Sequence, residues 1–412
     1  MNPPAPRAHH IPELLEIHAD ELAYLWGQRR AALADPRYTL RSFCELNERI
    51  EAHAAGLLTV PSALPALLGR RLLAAADRDE AFAAAHVLLR LGRLELRARL
   101  LELFATVAGP QLLGLRDALM FASPSPEAGA VLAALADGAE PQRALAALTV
   151  LAHWGRLAPQ EPALQRLLID EDAALAAQAW RVVARLDAGA AAAAQAVPPR
   201  PFKPALARAD PELRSAVLGA ALWTARPWAL RGLRLLVREQ ACPAALAWLA
   251  AVGEPADWPL IDEASAALPG PGARAALLGR WAQGPALERL VDWMSGPDRT
   301  LAAAACEAYS RITGADVKGA RATLAAAEDA DDFEREMAPA VWLPDLLRVQ
   351  AHQQAQGAAY GAMGKRWNRG LPLGAEPAAE VLERVDLPAR WDACIRAALA
   401  RRPIGMPPPA LD

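Results

Sequence analysis

The chain has 412 residues, of which 54% are hydrophobic and only 5% aromatic, and its formal net charge is −3. The length exceeds what one hydrophobic core usually supports, so two domains or one elongated array is expected. The pI near 6.2 lacks the basic footprint of a nucleic-acid binder, and uncharged stretches such as 240–253 are too short to cross a bilayer.

Ala and Leu dominate the hydrophobic class, and both lose little side-chain freedom in a helix. β-branched and aromatic residues are scarce, which argues against extensive sheet. Lysine occurs three times (Lys203, Lys318, Lys365) against 41 arginines, so abundant Arg reflects a bias of the whole chain rather than a site. The four cysteines, Cys44, Cys242, Cys306 and Cys394, are scattered, which fits free thiols in a reducing cytoplasm. The start, Met1-Asn2-Pro3-Pro4, carries no secretory pattern.

Residues 11–58 read as longer, more polar helices, and residues 1–60 are expected to form an N-terminal cap on a helical stack. His9, His10 and His18 lie near Glu13, Glu16 and Asp20, but no His-Glu-x-x-His or Cys-x-x-Cys spacing accompanies them. No metal and no cofactor is expected.

Over residues 61–187, and again over 209–327, one pattern recurs. Asp79 precedes Phe82 by three residues and leads into AAAHVLLRLG; Asp172 stands likewise before Leu175, Asp210 before Leu213 and Asp298 before Leu301. Asp caps free helix N–H groups and suits the positive end of the helix dipole. Pro211 fits a first helical turn, where its missing N–H costs nothing. The separations are 172 − 79 = 93, 210 − 172 = 38 and 298 − 210 = 88 residues; the shortest matches one helix pair of about 40 residues. Residues 126–156 read as an intermediate pair, and so do 255–283, with a turn at Pro269-Gly270-Pro271-Gly272. Within RLGRLELRAR, Arg90, Arg93 and Arg97 are spaced for one helical face, a stripe suited to an acidic partner or to solvent.

Residues 188–208 are Ala- and Pro-rich and read as a linker between two helical halves. Repeats resume over 209–327. The region 328–412 opens on the acidic run EDADDFERE and is expected to be helical. In it, GAAYGAMGK lacks the spacing and the Ser or Thr of a phosphate loop. Trp154, Trp180, Trp223 and Trp281 fall in helix interiors as core anchors. Trp258, Trp342, Trp367 and Trp391 sit within two residues of Pro, Arg or Asp as candidates for exposure. Arg366-Trp367-Asn368-Arg369 joins the residue types that most often anchor interfaces, so Arg366, Trp367 and Arg369 are the first candidate partner-binding residues, with a packed turn as the alternative. The fold expected is all-α, a HEAT-like α/α solenoid in two halves.

The N-terminal W-x-x-R-R, LNERIEAHAAGL, CEAYSRITG and RWNRGLPLG resemble segments of a proteobacterial HEAT-repeat family without an established activity. Genes of that family often lie near type VI secretion components. The resemblance implies a cytoplasmic adaptor, with a secretion-system component or effector as protein partner. Without a catalytic motif, a non-enzymatic scaffold is the leading expectation. The alternative is a HEAT-like alkylpurine DNA glycosylase, which the acidic balance disfavours because such an enzyme must neutralise phosphates. A phycobilisome-related helper ranks last, since nothing points to a pigment.

Overall fold

The structure is a computed structural model that describes residues 12–138, 140–192, 197–240, 242–324, 340–361, 364–374 and 376–407. Two units divide the chain: the described residues up to Ala220 together with Met406 and Pro407, and Ala221–Gly405. Both are built mainly from paired α-helices, as an all-α helical-repeat fold requires.

The first unit contains α1 (Pro12–Ala32), α2 (Leu40–Leu58), α3 (Leu64–Ala74), α4 (Arg78–Arg90), α5 (Leu94–Phe104) and α6 (Gly109–Phe121). It continues with α7 (Pro126–Gly138), α8 (Pro141–His153), α9 (Pro162–Leu168), α10 (Ala173–Ala192), α11 (Phe202–Leu206) and most of α12 (Pro211–Trp223). One layer runs α1, α4, α6, α8, α10, each helix packed on the next; α2, α3, α5, α7 and α9 flank it. In the middle of that layer every residue from Ala144 to Ala152 in α8 is buried. A helix apolar all round is one buried all round, and Ala makes the close approach possible. The closest is at Gly114 of α6, where an added Cβ would lie 2.4 Å from Ala81 Cβ and 2.6 Å from Phe82 N.

The repeated starts are caps. Asp172 accepts from Ala174 N and Leu175 N, Asp210 from Leu213 N, and Asp298 from Thr300 N and Leu301 N. At the first repeat the cap is Asp77, which accepts from the N–H groups of Asp79 and Glu80 at 2.8 and 2.9 Å. Asp79 instead faces Arg30 of α1, which donates to both its oxygens at 2.9 Å. The expected cap of residues 1–60 is, over its described part, the first helix pair of the array, since α1 packs on both α2 and α4. The 188–208 linker is partly structured: α10 runs into it, and buried Arg200 donates to buried Asp187 at 3.0 Å.

The second unit contains α13 (Ala229–Gln240), α14 (Pro243–Val252), a 3-10 turn (Pro255–Asp257), α15 (Trp258–Ala267), α16 (Pro271–Trp281), α17 (Gly284–Met294) and α18 (Arg299–Thr313). Here α14, α16 and α18 form one row, flanked by α13, α15 and α17. The Pro-Gly turn joins α15 to α16, with Gly270 at φ +77°. The C-terminal region departs from an all-helical expectation. β1 (Lys318–Thr323) pairs antiparallel with β2 (Ala340–Pro344), and β3 (Arg366–Asn368) with β4 (Leu371–Leu373). Around them lie α19 (Leu346–Tyr360), α20 (Ala379–Arg384) and α21 (Leu387–Leu399). The short β3–β4 hairpin is held by the helices: Trp367 N donates to Ala282 O, Arg369 N to Arg311 O and Gly370 N to Ile312 O. The acidic run at 328–336 lies outside the described residues.

Candidate interaction surface

Most buried charges serve the packing. Asp117 of α6 is fully buried and takes Arg78 Nε at 2.7 Å and Arg116 Nε at 3.0 Å. Arg234 grips Asp257 at 2.6 Å, Arg280 grips Asp392 at 2.8 Å and Arg311 grips Asp386 at 2.7 Å. Asn368 completes the last group, donating to Asp386 Oδ2 at 2.6 Å and accepting its N–H at 3.0 Å. These contacts hold Asp386 below the usual carboxylate range despite its burial. Bidentate Arg–carboxylate pairs fix geometry as well as charge, so these groups tie one helix to the next.

A second cluster surrounds Arg29 of α1. Its guanidinium carbon lies 5.0, 4.7 and 4.8 Å from the ring centres of Trp26, Phe43 and Phe121. Its Nε donates to Asn47 at 2.6 Å, and burial lowers its pKa to about 10. Trp26 stacks on Phe82, Phe82 on His86, and Phe121 lies against His153. Burial, with Arg90 and Arg29 adding to it, pushes His86 down to about 4; burial with Arg185 and Arg29 does the same to His153. The cluster is aromatic, cationic and neutral at its histidines.

An exposed apolar face in the first unit lies on α1. One face of this helix, with Leu15, Leu22, Leu25 and Trp26, is buried. Ile17 and Tyr24 emerge from the other and Leu14 from its border, 54%, 61% and 50% exposed. Spacings of three and seven residues put these three on one side. Acidic residues surround them: Glu13, Glu16 and Glu21 are exposed and form no ion pair among the described residues. Asp20 pairs with Arg71. Beside the face, an open groove of about 580 Å³ between α1 and the start of α4 is lined by Asp20, Tyr24, Gln28, Asp77, Asp79 and Glu80.

The sequence candidates fall elsewhere. Arg366 is 4% exposed; its guanidinium donates to Trp281 O at 2.6 Å and Gly253 O at 2.7 Å and lies 4.8 Å from the Trp281 ring centre. Those carbonyls end helices, so Arg366 is an interior clamp and not a partner-facing group. Trp367 is half-buried with its ring edge-on to Tyr360. Arg369 is exposed and occupies the left-handed turn of the hairpin at φ +53°. Arg90, Arg93 and Arg97 share no helix face. α4 ends at Arg90, Gly92 turns the chain at φ +68°, and Arg93 precedes α5. Arg90 pairs with Glu51, Arg93 Nη2 reaches Pro61 O, and Arg97 is half-buried.

Of the tryptophans, Trp180, Trp223 and Trp281 are buried and Trp342 is 42% exposed, as their settings predict; Trp154 is half-buried. His9 and His10 lie outside the described residues, while His18 Nδ1 meets His53 Nδ1 at 3.1 Å. No cluster of His, Cys, Asp and Glu suited to a metal occurs among the described residues, and no described helix is long and apolar enough to cross a membrane. The α1 face was missed, although apolar residues on both sides of one helix signal it. No protein-family model matches the chain, and a comparison with curated proteins finds no match.

Proposed function

We propose that the protein is a non-enzymatic scaffold that binds another protein. The observation that carries this reading is the outward face of α1, where three large apolar side chains stand half or more exposed on one side of one helix. Exposed apolar groups gathered on a single face mark interaction sites, whereas scattered ones do not. The deeply buried ionisable groups support it, because Asp117, Asp187, Asp386 and Asp392 each hold an Arg that tethers a neighbouring segment. The family resemblance directs the search for a partner to contractile type VI secretion components and their effectors. Affinity capture of the tagged chain from its native cell, with nuclease treatment and mass spectrometry, tests the reading. One protein recovered in near-equal amount is expected. Recovery of none, or loss of every partner on nuclease treatment, overturns it.

A further inference from the structure

We infer that the face of α1 is a docking site for a basic amphipathic helical segment of the partner. This rests on the scaffold reading above and names the chemistry of what the scaffold holds. The argument begins with what the face lacks. Ile17 and Tyr24 project from the side of α1 opposite its buried residues, Leu14 lies at the edge of that side, and among the described residues α1 packs principally on α2 and α4. Among the described residues the face is the open side of the first helix in the row. Leu14 and Ile17 stand one helical turn apart and Tyr24 two turns beyond Ile17, so a helix laid along α1 can meet all three.

Charge selects the occupant. Glu13, Glu16 and Glu21 are exposed on α1 and make no ion pair among the described residues, and Asp20, Asp77 and Glu80 continue the acidic character into the adjoining groove. Of the basic groups near this edge, Arg30 lies bidentate on Asp79 and Arg71 pairs with Asp20, while exposed Arg49 of α2 lies on the His53 side of Glu21. Glu13 alone suits the positive end of the helix. Acidic groups farther along α1 gain nothing from that dipole, and neither they nor the cap at Asp77 account for exposed Leu and Ile between them. Acidic groups among and along one flank of the exposed apolar residues favour a segment carrying Leu-type side chains on one face and Lys or Arg at its margin. They repel an acidic helix or a nucleic acid. Tyr24 and Asp20 border both the stripe and the groove, so one bound segment engages both.

The test uses the full chain and a fluorescein-labelled amphipathic peptide of Leu and Lys, with a Leu/Glu peptide of the same pattern as its counterpart. Anisotropy should show the Leu/Lys peptide binding, with affinity falling as salt rises, and the Leu/Glu peptide not binding. Ile17→Ser with Tyr24→Ser should weaken binding by at least about tenfold. Glu16→Lys with Glu21→Lys should do likewise and flatten the salt dependence. Both pairs alter exposed positions, so circular dichroism should be unchanged. Equal affinity for the Leu/Glu peptide, or indifference to both double variants, overturns the inference. So does self-association of the wild-type chain that Ile17→Ser/Tyr24→Ser abolishes, since the occupant is then a second copy. Affinity capture with the same variant separates the two readings. A native partner retained by the variant leaves the scaffold and removes this site; a wild-type chain that captures nothing removes the scaffold itself.

Discussion

At the scale of single residues, the buried histidines and the buried carboxylates respond to acid in different windows. His86 is 8% exposed, its Nε2 makes no hydrogen bond among the described residues, and its neighbours Arg90 and Arg29 outweigh Glu51. In the unfolded chain a histidine takes up its proton near pH 6.5, whereas folded His86 does so at about 4. Between those values the unfolded state binds more protons, so stability falls as pH drops from about 6.5 and levels off below about 4. The loss from His86 alone at pH 5 is about 2 kcal/mol relative to pH 7, and His153, more open to solvent, adds less. Asp386 behaves oppositely in sign of shift. Its folded value is depressed, so its stabilisation is present above the ordinary carboxylate range and vanishes only as pH falls below it. Denaturant titrations from pH 7 to 4.5 should therefore show a falling midpoint whose slope is reduced by His86→Leu. An unchanged slope in that variant would show that His86 titrates normally in the folded chain. Arg366 illustrates the same principle without titration: a guanidinium shut in among helix-ending carbonyls is retained because its removal strands them.

At the scale of elements, what could be read in the sequence is what is fixed locally. The caps at Asp172, Asp210 and Asp298 depend on a side chain reaching N–H groups two or three residues on, so the sequence shows them directly. Asp79 misled because two acids two residues apart both suit a helix start; which one caps is decided by Arg30, from a helix 49 positions away. The supposed Arg stripe was broken by one glycine in a left-handed turn. The β3–β4 hairpin was invisible, since its strands of three residues owe their order to backbone bonds with α18 and Ala282. Close helix approach is likewise a tertiary fact, and it separates two glycines that look alike in sequence. At Gly114 a methyl group would strike Ala81 Cβ, Phe82 N and Arg78 O, all under 3 Å, and two of the three are backbone. At Gly69 of α3 nothing lies within 4 Å. Gly114→Ala should therefore cost about 3 kcal/mol, as overpacked cores do, while Gly69→Ala should gain about 0.5–1 kcal/mol from helix propensity. Denaturation midpoints that move together would contradict the close packing of α4 on α6.

At the scale of the whole molecule, the four cysteines report how the chain is divided. Cys44 is exposed on α2 in the first unit, whereas Cys242, Cys306 and Cys394 are buried and all belong to the second. Burial raises the Cys306 thiol to about 11 and pushes Cys394 upward too, so neither offers much thiolate near neutral pH. Access and charge state thus act in the same direction for these two, and Cys242 is buried as well. A thiol reagent at neutral pH should modify one equivalent rapidly, and Cys44→Ser should abolish that phase without disturbing the helices. The remaining three should react only as the second unit opens, so their labelling in increasing denaturant measures that unit's stability and no other part of the chain. Four rapid equivalents in the native protein would mean that the packing of α14, α18 and α21 around their thiols is not maintained. One rapid equivalent that persists in Cys44→Ser would assign the open thiol, and with it the weakest part of the fold, to the second unit.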